Sequence, residues 1–136
     1  MKHIEHIGLA VHSLSEAIPR FEALLNTVCY KTEEVESEQV RTAFFKLGES
    51  KIELLEPTQS QSVIHRFLEK KGEGFHHMAI EVEDIYQEMA RLKEEGVRLL
   101  NEEPKQGADN KLICFLHPKD TGGILLELCQ HFVRPE

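Results

Sequence analysis

The sequence predicts an α+β domain assembled from two pseudo-symmetric β-α-β-β-β modules. Two observations carry that prediction. The same succession of strand-type and helix-type hydrophobic patterning runs twice along the 136 residues, and short stretches of the two halves match letter by letter. His6-Ile7-Gly8-Leu9-Ala10-Val11 returns as His77-Met78-Ala79-Ile80-Glu81-Val82, and Lys51-Ile52-Glu53-Leu54-Leu55 returns as Leu125-Leu126-Glu127-Leu128-Cys129. From His to Glu is 47 residues in the first half and 50 in the second. Two copies suit a closed pseudo-symmetric domain, because stacked solenoids usually need at least three.

In the first half, Ile4 to Val11 alternates as a strand, with Ile4, His6, Gly8 and Ala10 on one face. Ser13-Leu14-Ser15-Glu16 reads as a capping box for a helix with apolar Ala17, Ile18, Phe21, Leu24 and Leu25, ended by Asn26. Pro19 inside it predicts a kink or a later start. Strands follow over Val28 to Val35, Val40 to Leu47 and Lys51 to Glu56. A Gln- and Ser-rich stretch then leads to a short amphipathic helix with Val63, Ile64, Phe67 and Leu68, closed by Gly72. In the second half, Phe75 to Val82 is a strand, and Asp84 with Gln87 caps a helix that Gly96 ends. Val97 to Glu102 is a strand, Pro104 to Asn110 a loop, Lys111 to Leu116 a strand, and Ile124 to Gln130 the last strand. The modules therefore span 1–57 and 74–136, joined by a linker helix over 58–73.

Bulk composition narrows the function classes. Hydrophobic residues at 40% and charged residues at 29% suit an ordinary globular chain. No apolar run approaches the length of a membrane span, and the first residues lack a secretory signal's apolar stretch. Three cysteines without CxxC spacing, Cys29, Cys114 and Cys129, suit a reducing cytoplasm, and Cys114 and Cys129, in apolar runs, read as buried core thiols. A formal charge of −8 argues against nucleic-acid binding. No glycine-rich nucleotide fingerprint is present, so no organic redox cofactor is expected.

The chemistry-bearing residues lie in the repeat itself. Glu53 and Glu127 each sit among apolar strand neighbours, and a buried carboxylate is costly unless it is paired or binds a metal. His6 and His77 open the first strand of each half. A pseudo-twofold axis would bring His6, Glu53, His77 and Glu127 to one point, a donor set suited to one divalent ion such as Co, Zn, Ni or Mn. Gly8 and Ala79, beside the two histidines, leave room for an ion and a substrate. His76 is the rival of His77 if the register slips by one residue. His12, His65 and His131 read as surface or boundary residues, and His117 as a candidate for a pocket mouth.

These segments, together with His117-Pro118-Lys119-Asp120 before a glycine bend, resemble the vicinal oxygen chelate superfamily over nearly the whole chain. Within it the methylmalonyl-CoA epimerases are most similar. The resemblance implies a glyoxalase-like fold, a curved mixed sheet around a metal site with His6, Glu53, His77 and Glu127 as ligands. It also implies a homodimer acting on an acyl-CoA, with no nucleic-acid or membrane partner. The expected reaction is metal-assisted removal and redelivery of the α-proton, with Glu53 and Glu127 as catalytic bases. Some epimerases place an additional glutamate on the strand before the Lys51 strand; Val40-Arg41-Thr42-Ala43-Phe44 has none, so either Glu53 takes that role or the two-base assignment fails for this chain. Glyoxalase I, acting on a glutathione hemithioacetal with a similar ligand set, is the alternative enzyme. A non-catalytic bleomycin-resistance-like binder is the alternative outside catalysis. Lys119 and Arg66 are candidates for contact with CoA phosphates.

Overall fold

A computed structural model describes residues 1–131; residues 132–136, the end of the second module, lie outside the described residues. The chain divides into two compact units, one of His6–His76 and one of Met1–Glu5 with the chain from His77 onward. The class is α+β, and each unit carries the predicted module.

In the first unit, β1 (His3–Ala10, from His6 on) pairs in parallel with β4 (Ser50–Pro57). β4 pairs antiparallel with β3 (Val40–Leu47), and β3 with β2 (Lys31–Val35). Helix α1 (Leu14–Leu25) covers one face, burying Leu14 and Ala17 in a core with Val11, Ala43, Phe45 and Leu54. Helix α2 (Val63–Lys71) buries Ile64 and Leu68 against Ala10, Val40 and Leu55. The expected capping box at Ser13 does not form: its side chain makes no cap bond, and the Glu56 carboxylate accepts the Leu14 N–H instead at 2.7 Å. Pro19 neither delays nor ends α1. It lies on the exposed face with Ser15, where water can satisfy the Ser15 carbonyl that a proline cannot serve. Asn26 ends the helix as expected, in the left-handed region at φ 51°. The strand expected from Val28 starts only at Lys31.

The second unit repeats the plan. β5 (Gly74–Glu81, from His77 on) pairs in parallel with β8 (Leu126–His131), β8 antiparallel with β7 (Lys111–Phe115), and β7 with β6 (Lys105–Gly107). Helix α3 (Ile85–Glu94) is capped by Asp84, whose carboxylate accepts the Tyr86 and Gln87 N–H groups. Its core joins Val82, Ile85 and Met89 to Cys114, Leu116 and Leu128. Here the sequence expectation needs correcting. The segment read as a strand, Val97 to Glu102, makes only an isolated bridge from Leu99 to Leu116, and the short β6 lies inside the segment read as a loop. Side chains explain the exchange. Asp120 accepts the Arg98 N–H at 2.8 Å, and the Asn101 side chain accepts the Phe115 N–H at 3.0 Å, so side chains take up backbone donors that a longer ladder would use.

Candidate metal centre

Parallel pairing sets the site in each unit. Gly8 of β1 lies opposite Glu53 of β4, and Ala79 of β5 lies opposite Glu127 of β8. Each histidine is two residues before the small residue and shares its face, so the imidazole reaches diagonally to the carboxylate. His6 Nδ1 is 3.1 Å from Glu53 Oε2, and His77 Nε2 is 3.5 Å from Glu127 Oε1. All four side chains are buried, none more than 6% exposed. The structure thus pairs His6 with Glu53 in one unit and His77 with Glu127 in the other.

A buried carboxylate is costly unless it is paired or binds a cation. A neutral imidazole hydrogen-bonds a buried carboxylate but does not balance its charge. Paired nitrogen and carboxylate donors of this kind fit a divalent ion of borderline softness. The donor chemistry of each pair therefore suits a resident metal.

The remaining histidines have other surroundings. His76 packs edge-on against Phe67 at 5.0 Å, and burial, with Lys71 nearby, lowers its pKa to about 4, which keeps the ring neutral. His117 caps the turn before β8, its Nδ1 accepting the Lys119 N–H. Lys119 and Arg66 are exposed. His131, expected at the surface or a boundary, is half-buried and bonded to Glu81. All three cysteines are free. Burial pushes the Cys114 thiol up, and burial with Glu127 nearby pushes the Cys129 thiol further up, which suits inert core thiols.

Sequence reasoning missed a second polar cluster. Glu5 and Lys111 form an ion pair of 2.6 Å with both side chains almost wholly buried, and His131 Nε2 lies 3.8 Å from the same glutamate. Glu5, Glu81 and His131 bring donor atoms within 4.8 Å of one another, but the Lys111 ammonium already supplies positive charge there. No local signal marks this pair, because its members are 106 residues apart.

The turn carrying His117 is held by Arg98, whose guanidinium bonds both oxygens of Asp120 at 2.9 and 3.1 Å. That contact, with the Arg98 N–H, holds the Asp120 carboxyl down at about 2. A depressed carboxylate contributes stability above its ordinary value of 3.8 and loses it as pH falls toward about 2. The Asp120 carboxyl is therefore expected to titrate near 2 by NMR, and Arg98→Ala is expected to move its midpoint up toward the ordinary range.

With the geometry in hand, comparison with known proteins is specific. Residues 5–115 match the Glyoxalase/Bleomycin resistance protein/Dioxygenase superfamily. The uncharacterized protein YqjC of Bacillus subtilis is 40% identical over 130 residues, covering 96% of this chain and 93% of that protein. The ethylmalonyl-CoA/methylmalonyl-CoA epimerase of Cereibacter sphaeroides is 41% identical over 129 residues, covering 93% and 96%. A variant of the methylmalonyl-CoA epimerase of Streptomyces coelicolor, solved in complex with 2-nitronate-propionyl-CoA, superposes with a TM-score of 0.93 at 37% identity, covering 98% and 99%. The chain belongs to the glyoxalase/bleomycin resistance/dioxygenase superfamily and, within it, to the methylmalonyl-CoA epimerases.

Proposed function

We propose that the protein interconverts the epimers of methylmalonyl-CoA, with His6, Glu53, His77 and Glu127 as the ligands of one divalent ion of the Co, Zn, Ni or Mn type. The observation that supports this best is the buried His–Glu pair repeated in both units of a chain whose epimerase relatives match it almost end to end.

The chemistry follows from the substrate. Its α-carbon carries one C–H between a thioester and a carboxylate, and the electrons left when that proton departs pass to the thioester oxygen. A divalent cation bound by these residues would stabilise that oxygen charge and orient the substrate. Inversion requires a proton taken from one face and another delivered to the opposite face. Glu53 and Glu127 fill these roles, one accepting as a carboxylate while the other donates as the acid. After one inversion the two have exchanged protonation states, and either solvent exchange or the reverse reaction restores them. On β3, Thr42 and Phe44 lie opposite Leu55 and Glu53, a strand without a carboxylate, which supports Glu53 as the second base over a base on β3. Gly8 and Ala79 leave space beside the carboxylates for the reacting carbon.

The cation also answers an electrostatic problem, since a chain of formal charge −8 must admit an anionic substrate. Lys119 and Arg66 remain the candidates for the CoA phosphates, and a cytoplasmic homodimer is the expected form. Among the described residues, no helix is long and apolar enough to cross a membrane.

The test is incorporation of solvent deuterium into methylmalonyl-CoA, with and without a chelator. Metal-loaded protein is expected to label the α-carbon, and chelation to stop it with recovery on adding Co²⁺. Labelling that a chelator leaves untouched would sink the metal assignment. No labelling, with turnover of a glutathione hemithioacetal, would sink the epimerase reading.

A further inference from the structure

The repeat extends beyond the histidines and glutamates. In the first unit a continuous cross-strand row runs Gly8, Glu53, Phe44, Lys31, each residue opposite the next on β1, β4, β3 and β2. In the second unit Ala79, Glu127 and Phe115 stand opposite one another on β5, β8 and β7. In both, a lysine ammonium sits over the phenylalanine ring: Lys31 Nζ at 5.0 Å from the Phe44 centroid, and Lys105 Nζ at 5.9 Å from that of Phe115. The second ring also meets the metal-type pair directly, edge-on to His77 at 6.0 Å and 85°. Each half therefore carries the row small residue, glutamate, phenylalanine with a lysine over the ring, although Lys31 lies opposite Phe44 whereas Lys105 lies opposite Ile113 and reaches Phe115 from there.

Cross-strand partners share a face with their Cβ atoms about 4.5–5.5 Å apart. Each ring thus stands beside its carboxylate on the side away from the small residue. Phe44 is wholly buried and Glu53 is 3% exposed. The backbone of each phenylalanine is gripped as well: the Phe44 carbonyl accepts the Tyr30 N–H, and the Phe115 carbonyl accepts the Leu100 N–H while Asn101 takes its N–H. The lysine ammoniums lie over the rings at half-buried positions.

We infer that Phe44 and Phe115, capped by Lys31 and Lys105, are positioning residues that shield the Glu53 and Glu127 carboxyls from water, so that a proton taken from substrate stays on its glutamate until the intermediate collapses. The inference rests on the epimerase reading and adds a property to it. While the intermediate lasts, a shielded glutamate returns the abstracted proton only to the face it came from, whereas the opposite glutamate, equilibrated with solvent between turnovers, delivers the proton of the product. An unshielded one trades its proton with water first.

The experiment starts from one epimer of methylmalonyl-CoA in D₂O with cobalt-loaded protein. It measures deuterium in recovered substrate against deuterium in the product epimer at early times. In the wild type the product is expected to carry deuterium and the recovered substrate to retain hydrogen. Phe44→Leu and Phe115→Leu are each expected to raise the ratio of labelled substrate to labelled product about tenfold, because leucine keeps an apolar side chain but not the ring's cover. Lys31→Ala and Lys105→Ala, at half-buried positions that leave the core intact, are expected to raise it two- to threefold, and they decide the matter if a leucine variant fails to fold. The Co²⁺ affinity is read alongside; Phe115→Leu is expected to weaken it several-fold, since His77 loses the ring edge that orients it. Variants that fold and load cobalt yet keep the wild-type ratio would overturn the inference. A wild type that labels neither epimer would instead overturn the epimerase reading beneath it.

Discussion

Glu127→Gln is expected to lower the rate of α-proton exchange by a factor of about 10²–10⁴, with Glu53→Gln falling in the same range. Glutamine keeps the length and nearly the volume of the side chain, so the packing of Glu127 opposite Ala79 and Phe115 is retained. What is lost is the basic oxygen and one negative charge toward the cation. The two losses separate experimentally. Metal content by elemental analysis reports the ligand role, and exchange per bound metal reports the base. Folding is expected to hold, because a neutral amide in a buried site spares the desolvation of a carboxylate, and urea unfolding of the metal-free variants should show no deficit larger than about 1 kcal/mol. A variant that binds metal as the wild type does but no longer exchanges the proton assigns that glutamate to proton transfer. Two variants with full exchange would remove both glutamates from the mechanism.

Those glutamates were legible in the sequence because two signals coincide on them. A carboxylate inside an apolar strand is conspicuous by its cost, and a repeat puts the same exception at the same place twice. His77 was legible for the same reason, with His76 as a rival that geometry assigns to packing on Phe67. The places of Phe44 and Phe115 were not, because both look like ordinary apolar strand residues until cross-strand pairing sets each beside its glutamate. The segment from Val97 misled because Val97, Leu99 and their neighbours alternate as a strand does, while the deciding bonds come from Asn101 and Asp120 side chains. β6 was hidden for the opposite reason: three residues of mixed polarity just after Pro104 carry almost no periodic signal.

The largest stability effect is expected at the buried ion pair of Glu5 and Lys111. Lys111 and Glu5 meet at 2.6 Å with exposures of 1% and 2%, so neither charge is screened by water. Lys111→Met keeps the apolar stem and removes the ammonium, leaving the Glu5 carboxylate buried beside a half-buried His131. Breaking one side of such a pair costs about 3–5 kcal/mol, most of it the penalty of the charge left behind. That is a large share of the roughly 5–15 kcal/mol that holds a domain of this size together. The double variant Lys111→Met with Glu5→Leu is expected to recover most of the loss, because two apolar side chains no longer need each other's charge. Urea unfolding of the wild type, both singles and the double closes the cycle. A Lys111→Met variant within about 0.5 kcal/mol of the wild type would show that Glu5 is not held as a buried carboxylate by this lysine. A double variant as unstable as the single would place the loss in packing and not in charge.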